Sequence, residues 1–184
     1  MRVEPTTLPG VLTVEPRVFA DARGAFFESY VLERYAEAGI DVAFVQDNVS
    51  VSARDTLRGL HLQHPRGQAK LVQVLEGEVF DVAVDVRPDS PHFRKYTTAT
   101  LSGENHRQLF IPGGFAHGFC VLSERAVLSY KCSAYYDPQS ELGVRWDDPT
   151  IGIDWPVTSP LLSERDRSAP LLSDIDPARL PRHG

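Results

Sequence analysis

The sequence has 184 residues, 42% of them hydrophobic and 24% charged, with a formal net charge of −6 at pH 7. This length and hydrophobic content predict a single domain over residues 1–184 and exclude a mainly disordered chain. The negative charge argues against nucleic acid and against an anionic membrane as partners. No apolar stretch has the roughly 20 residues that a membrane-spanning helix needs. No signal peptide is evident either, so the cytoplasm is the expected location.

The N-terminal region is predicted to contain short strands and one helix. Residues 11–20 alternate loosely between apolar and polar side chains, as in a strand, and Asp21 begins a turn that ends at Gly24. Residues 26–30 are compatible with a further extended segment. A helix is predicted over residues 30–38, with Gly39 as its stop. The residues that approximate its apolar face are Tyr30, Val31, Tyr35 and Ala38.

From Phe44 onward the pattern is that of β-strands. Residues 71–75 and 79–86 are rich in β-branched side chains and are separated by Gly77, which predicts a hairpin. Further strands are predicted over residues 96–101, 108–111, 117–122 and 126–130. Short helices and loops are expected after residue 156. Many short strands with Gly and Pro turns predict a mainly β fold, an antiparallel jelly roll of the sandwich or barrel kind with a few short peripheral helices.

The strand over residues 79–86 has two chemically different faces. Phe80, Val82 and Val84 project to one face, whereas Asp81 and Asp85 project to the other. We therefore expect one face to pack in the core and the other to line something polar.

His61 is the strongest candidate for a catalytic base. It lies in the strand-like segment Arg58-Gly59-Leu60-His61-Leu62-Gln63, and imidazole titrates near neutral pH. Nearby cations would stabilise the negative charge left by proton abstraction. Arg58 and His61 would face opposite ways in a regular strand, unless Gly59 forms a bulge. Lys70 begins the next strand, where a hairpin can bring it near His61. The alternative is that His61 has only a structural role.

Tyr130 and Asp166 are candidates for a proton donor and an orienting carboxylate. Tyr130 continues the face of Ala126 and Leu128, so it should point into the interior, where tyrosine often simply packs. As an acid it would need nearby cations to lower its pKa from about 10. Asp166 follows Ser163 at a predicted helix start, where Ser163 is the N-cap. The helix start is the favoured interpretation, but Asp166 could also hold an imidazole in one tautomer, and the two roles are compatible.

A metal site is not favoured by the histidine spacing. Residues 112–117, which end in His117, resemble the second metal motif of cupins. The first cupin motif normally has two histidines two residues apart, which face the same way. His61 and His64 are three apart and would face opposite ways in a regular strand, so we expect no metal.

Anion binding would depend on side chains, because the sequence contains no glycine-rich phosphate loop. Arginine is suited to two-pronged contacts with phosphate. The positive candidates are Arg23, Arg58, Lys70, His117 and Arg165. Tyr135 and Tyr136 offer a flat surface for a nucleobase, although paired tyrosines often only occupy a strand. Cys120 and Cys132 lack CxxC spacing and are expected to be buried thiols.

Seven motifs occur in order along the chain: Phe19-Ala-Asp-Ala-Arg-Gly24, Phe44-Val-Gln-Asp-Asn48, Leu57-Arg-Gly-Leu-His-Leu-Gln63, Val79-Phe-Asp-Val-Ala-Val-Asp85, Ile111-Pro-Gly-Gly-Phe-Ala-His-Gly-Phe119, Tyr130-Lys131 and Leu162-Ser-Glu-Arg-Asp166. Together they resemble the dTDP-4-dehydrorhamnose 3,5-epimerase family. The resemblance implies a cupin-type jelly roll without a metal or cofactor, a homodimer, and a dTDP-sugar as the substrate. It also implies inversion of C3 and C5 of dTDP-4-dehydro-6-deoxy-D-glucose.

The same resemblance implies roles for individual residues. His61 would be the base, paired with Asp166, and Tyr130 would be the acid on the other side of the sugar. Lys70 would stabilise the enolate near the keto oxygen, and Tyr136 would stack on thymine. The implied substrate contacts are Arg23, Glu28, Gln46, Asp47, Asn48, Arg58, Lys70, His117, Tyr136, Glu141 and Arg165.

Some positions depart from the family's commonest residues. Leu62 replaces an aromatic residue, Phe110 a tryptophan, Ala69 a glycine and Arg165 a lysine. These changes keep the chemical groups but alter the pocket shape, so the sugar and the number of inverted centres stay open. The alternatives are a single-centre epimerase of a related deoxysugar pathway, a metal-dependent cupin oxygenase, and a non-catalytic sugar-binding jelly roll.

Overall fold

The computed structural model describes residues 1–183 and consists mainly of β-strands, which confirms the predicted fold class. The strands are β1 (Arg2–Pro5), β2 (Leu12–Glu15), β3 (Phe19–Asp21), β4 (Gly24–Phe26), β5 (Gln46–Ala53), β6 (Leu57–Gln63), β7 (Lys70–Glu76), β8 (Glu78–Asp85), β9 (Tyr96–Ser102), β10 (Gln108–Ile111), β11 (Phe115–Val121), β12 (Arg125–Cys132) and β13 (Glu141–Gly143). The helices are α1 (Leu32–Glu37), α2 (Glu164–Arg167) and two 3₁₀ turns, Leu172–Asp174 and Pro177–Arg179.

The strands form two antiparallel sheets that pack face to face. The six-stranded sheet has the order β1-β2-β10-β7-β12-β5, the five-stranded sheet has the order β13-β6-β11-β8-β9, and β3 and β4 form a separate hairpin. One apolar cluster joins the inner faces and includes Val72 and Leu128 from the larger sheet and Ala83 and Val121 from the smaller. This arrangement is that of a sandwich, with its core between the sheets.

Strand β8 shows the expected alternation, but both of its faces are buried. Val82 and Val84 pack outward in a second cluster that includes Trp155 of the C-terminal segment. Asp81 points inward and is completely buried beside His117. The C-terminal segment, remote in the sequence, covers the outer face of the smaller sheet, which local periodicity does not reveal.

The N-terminal elements are shorter than predicted. The strand expected over residues 11–20 is divided into β2 and β3 by a segment that contains Pro16, and proline has no N–H for a ladder hydrogen bond. Helix α1 begins two residues later than expected and buries Tyr35, whose hydroxyl donates to Gln108 Oε1 at 2.8 Å. Gly39 follows the helix with φ +92°, a conformation that suits glycine, as its predicted role as a stop requires.

Cys120 and Cys132 are buried free thiols, as predicted, and lie on strands of different sheets. Burial raises the pKa of the Cys120 thiol to about 11. Within residues 1–183, none of the helices has the length and hydrophobicity required to span a bilayer.

Candidate active site

Strand β6 directs Arg58 and His61 to the same inner face because of an irregularity at Gly59. The pairing of β6 with β11 shifts register between these two residues, so of the two alternatives the strand has the bulge. Gly59 has φ +125°, and a Cβ at this position would lie 2.5 Å from the Cα of Gly118. Only glycine fits here, so Gly59 sets the direction of both side chains.

The facing sheet presents a second set of side chains through regular alternation. Lys70 pairs with Cys132 across β7 and β12, and Tyr130 pairs with Asn48 across β12 and β5. Tyr130 packs against the apolar cluster between the sheets, so it points inward as its sequence position predicted. Both sheets therefore contribute polar groups to one interior region.

That region contains two adjoining cavities of about 290 and 240 Å³, and His61, Lys70 and Tyr130 line both of them. We call the first the His117 lobe; its other lining residues include Ser50, Arg58, His117, Phe119, Arg165 and Asp166. We call the second the Tyr136 lobe; its other lining residues include Gln46, Asn48, Gln63, Cys132, Tyr136 and Glu141. The three shared residues mark the junction of the lobes.

His61 and Asp166 form a close pair at this junction. His61 Nε2 lies 2.6 Å from Asp166 Oδ1, and Asp166 is buried at the start of α2. Burial alone would raise the pKa of Asp166, but hydrogen bonds from His61, Ser163 and the backbone of Gly59 outweigh it and lower that pKa. Ser163 also caps α2 by accepting from the Asp166 N–H at 3.1 Å. Asp166 thus lies at the start of the helix and also contacts the imidazole of His61.

Burial shifts the pKa values of both Tyr130 and Lys70. Burial raises the pKa of Tyr130, and the nearby Arg58 guanidinium only partly opposes this. The nearby cations therefore do not lower the Tyr130 pKa, which the sequence analysis set as a condition for an acid, because the loss of hydration dominates. The phenol stays protonated at neutral pH, as a proton donor must. Burial lowers the pKa of the Lys70 ammonium, although Cys132, Asp81 and Glu141 oppose the shift.

A second histidine–aspartate pair lies beside the first and was not identified from the sequence. His117 Nε2 lies 3.0 Å from both oxygens of Asp81, and both side chains are buried. Burial lowers the pKa of His117, and Lys70 and His61 add to this effect, against the attraction of Asp81. The ring is therefore neutral and donates Nε2–H to the carboxylate. The signal in the sequence is Asp81, one of two aspartates within the apolar run over residues 79–86.

The Tyr136 lobe is bounded by an ion pair and an exposed aromatic ring. Arg165 Nη2 lies 2.5 Å from Glu141 Oε1, and the Tyr136 hydroxyl donates to Glu141 Oε2 at 2.6 Å. Although burial opposes ionisation, these contacts lower the pKa of Glu141. Gln46 Oε1 accepts the backbone N–H of Tyr136 at 2.9 Å. The half-exposed Tyr136 ring is thus held beside the lobe.

Three of the implied substrate contacts do not line either lobe in the single chain. Arg23 lies on the β3–β4 hairpin, its side chain is 90% exposed, and it pairs with Asp21. Glu28 pairs with Arg34 and lines a separate cavity of about 360 Å³ beside α1. Asp47 projects to the outer face of β5, because strand side chains alternate, and pairs with a lysine on β12 at 3.0 Å.

The two histidines of the site, His61 and His117, each contact the carboxylate of an aspartate. In the described part of the chain, residues 1–183, no group of three or more His, Cys, Asp and Glu side chains is suited to hold a metal ion. His61 and His117 each direct Nε2 to a different aspartate.

Comparison with known proteins gives consistent results. The family model described as dTDP-4-dehydrorhamnose 3,5-epimerase matches residues 5–174. The chain is 51% identical over 178 residues to the dTDP-4-dehydrorhamnose 3,5-epimerase of Shigella flexneri, covering 96% of this chain and 98% of that protein. It is also 42% identical over 182 residues to the dTDP-4-dehydrorhamnose 3-epimerase of Streptomyces niveus, covering 98% and 88%.

A solved structure is similar over the whole chain. It is the dTDP-6-deoxy-D-glucose-3,5-epimerase of Legionella pneumophila Philadelphia 1 in complex with dTDP-4-keto-L-rhamnose. The TM-score is 0.97 at 49% identity, and the match covers 100% of this chain and 98% of that chain.

Proposed function

This chain belongs to the dTDP-4-dehydrorhamnose 3,5-epimerase family, and from that premise we propose that it inverts C3 and C5 of dTDP-4-dehydro-6-deoxy-D-glucose. The product would be dTDP-4-dehydro-L-rhamnose, for dTDP-L-rhamnose biosynthesis. The chain is accordingly an isomerase. The observation that carries the proposal is the cavity wall shared by the His61–Asp166 pair, Tyr130 and Lys70.

The chemistry needs only a base, an acid and a stabilised oxyanion, and therefore no cofactor. His61 removes the proton from a carbon beside the C4 ketone. The electrons of the broken C–H bond form a C=C bond, and the carbonyl electrons move onto the oxygen. Tyr130 then donates its proton to the opposite face of that carbon, and the ketone re-forms. Solvent removes the proton from His61 and returns one to Tyr130 before the second centre reacts.

Lys70 supplies the positive charge that the enolate requires. Its side chain is half-buried in the cavity wall, and within residues 1–183 no carboxylate lies close enough to form an ion pair with it. A cation already fixed in a poorly hydrated site stabilises developing negative charge without reorganisation. Removal of one such donor elsewhere costs about 2.7–4 kcal/mol in the barrier.

The two lobes suit the two ends of a nucleotide sugar. The His117 lobe holds the reacting groups and two arginines, Arg58 and Arg165, which suit a sugar and the adjoining phosphate. The Tyr136 lobe offers an aromatic ring with amide side chains, Gln46 and Asn48, which suit a base. We therefore assign the sugar to the first lobe and thymine to the second.

We further propose that the protein is a homodimer. Phe19 and Phe26 of the β3–β4 hairpin are 50% and 66% exposed, and Val49 and Val51 on the edge strand β5 are 63% and 54% exposed. Apolar surface of this kind usually lies in an interface. A dimer in which the hairpin reaches the partner's cavity would also give Arg23 the substrate contact that its own cavity does not offer.

The whole chain is proposed to act as one domain. Asp166 belongs to the C-terminal segment, and His61 belongs to β6, so the site requires both regions. The two free thiols agree with a reducing compartment, and we propose the cytoplasm.

A single-centre epimerase is the second candidate, because the Streptomyces niveus relative is named a 3-epimerase. NMR of the sugar after incubation of purified protein with dTDP-4-dehydro-6-deoxy-D-glucose decides between the two. The proposal expects inversion at C3 and C5, and loss of both in His61→Asn. Inversion at one carbon only would favour the second candidate, and an unchanged substrate would contradict both.

A further inference from the structure

A hydroxyl in the wall of the His117 lobe has no partner. Ser50 lies on the inner face of β5, and its Oγ is buried without a hydrogen bond to any group within residues 1–183. The next inner serine on the same strand, Ser52, accepts from Arg58 Nε at 3.1 Å. Two other buried side-chain atoms without a partner, on Tyr30 and Arg94, line neither lobe.

An unpartnered hydroxyl of this kind calls for a physical explanation. Buried polar groups in folded proteins nearly always have a hydrogen-bond partner, because desolvation without one is unfavourable. The Ser50 hydroxyl is such an unfavourable group, and Ser50 lies in the cavity wall beside the reacting residues. A bound molecule that supplies the missing partner would offset its cost.

The position of Ser50 specifies which part of a ligand it meets. On β5 it is two residues from Asn48, which pairs with Tyr130, and it lines the His117 lobe but not the Tyr136 lobe. The His117 lobe also contains His61, so a group near Ser50 belongs to the reacting end of the ligand. That end is a hexose, whose hydroxyl and carbonyl oxygens can each pair with a serine hydroxyl.

We propose that Ser50 is a sugar-binding residue, whose hydroxyl forms a hydrogen bond with an oxygen of the bound hexose on the Tyr130 side of the cavity. The assignment of the hexose to this lobe rests on the proposed function. Ser50 does not transfer a proton in this account. It fixes the ring relative to His61 and Tyr130.

The test compares two nucleotides by calorimetric titration of the full chain. One is dTDP, and the other is dTDP-L-rhamnose, which lacks the ketone and cannot react. In Ser50→Ala we expect the Kd for dTDP-L-rhamnose to rise roughly three- to tenfold, as for the loss of one neutral hydrogen bond. The Kd for dTDP should stay within experimental error of the wild type.

Ser129→Ala is the matched control, because Ser129 projects from the outer face of the neighbouring strand β12 and lines neither lobe. It should change neither Kd. Thermal unfolding without ligand adds an independent readout. Ser50→Ala should unfold at the same temperature as the wild type or higher, since it removes a polar atom without a partner. Ser50→Cys, close in size but a poor donor, should show the same loss of sugar affinity.

Three outcomes would overturn the proposal. The first is an unchanged Kd for dTDP-L-rhamnose in Ser50→Ala and Ser50→Cys. The second is an equal rise for dTDP, which would assign the hydroxyl to the diphosphate. The third is a wild-type protein that binds dTDP-L-rhamnose no more tightly than dTDP. A wild type that binds dTDP-L-rhamnose through Ser50 but inverts no ketosugar would instead contradict the proposed function alone.

Discussion

The protonation states that the proposed reaction needs are set by the surroundings of single side chains. Burial raises the pKa of Tyr130, which keeps the phenol protonated, and burial lowers the pKa of His117, which favours the neutral ring. Asp166 is held ionised by its hydrogen bonds, despite burial. A protonated phenol, Tyr130, and an ionised carboxylate, Asp166, thus lie beside His61.

Asp166→Asn should lower kcat by about 10²–10⁴-fold, because it removes the charge that supports protonated His61. The variant keeps the size of the side chain, so binding of dTDP-L-rhamnose should be little changed. Steady-state kinetics and titration of the same preparation check both statements. A variant with wild-type kcat would show that the close contact to His61 is only structural.

Asp166 should also make stability depend on pH. Its folded pKa is lower than the ordinary value of 3.8, so the unfolded chain binds this proton more readily. The carboxylate therefore stabilises the fold above about pH 4, and this contribution is lost as pH falls through the lowered folded pKa. Urea unfolding of wild type and Asp166→Asn from pH 3 to pH 7 measures it. A difference in unfolding free energy that is constant across this range would contradict the account.

Lys70→Met should separate catalysis from stability. We expect kcat to fall about 10²–10³-fold with the loss of the cation at the enolate. At pH 7 the free energy of unfolding should rise, because the fold no longer buries a charged group whose pKa burial lowers. Lys95→Met, at an exposed position outside both lobes, is the control for removing a positive charge. A Lys70→Met variant with both values unchanged would exclude this role.

At the scale of the element, the bulge in β6 directs the side chains of Arg58 and His61 to the same face of the strand. Gly59→Ala should destabilise the protein by more than about 2 kcal/mol, because the strain of a positive φ adds to a backbone clash. Gly24→Ala is the matched control: its φ is +124°, close to the +125° of Gly59, but its Cβ would meet nothing within 4 Å. Thermal or urea unfolding of both variants isolates the clash. Equal destabilisation would show that the contact with Gly118 is unimportant.

Several elements could be predicted because their signals are local. Strands β7 to β12 lie close to their predicted bounds, since alternation of apolar residues reflects one buried face. The hairpin predicted at Gly77 is wrong, because β7 and β8 belong to different sheets. The spacing of Arg58 and His61 leaves two alternatives, a regular strand or a bulge at Gly59, and the structure has the bulge. The sequence predicts that Asp81 lies on the polar face of its strand. Its contact with His117 depends on the register of β8 with β11, which local sequence patterns do not reveal.

At the scale of the molecule, contacts between distant segments could not be predicted from local patterns. His61 and Asp166 are 105 residues apart, and only the resemblance to a family suggested their pairing. The burial of both faces of β8 likewise depends on the C-terminal segment. Arg23 was expected at the substrate, whereas in a single chain it is exposed on the hairpin. A contact made by a second copy leaves no local pattern in one sequence.

The proposed dimer has a direct test. Light scattering should give a mass of twice 20.5 kDa. If Arg23 acts in the partner's cavity, His61→Asn and Arg23→Ala should each be inactive as pure dimers. Hybrids formed by mixing and refolding should then regain one intact site each, about a quarter of the wild-type sites in an equal mixture. A monomer mass, or no regained activity, would contradict a shared site.

The central claim is that His61 and Tyr130 act on opposite faces of one ketosugar, and exchange with heavy water tests it most directly. Wild-type protein in D₂O should place deuterium at C3 and C5 of the sugar, as read by NMR of the recovered nucleotide. Tyr130→Phe should retain exchange by His61 but lose inversion at one centre or both. Inversion without deuterium in the wild type, or inversion at both centres in Tyr130→Phe, would contradict the account.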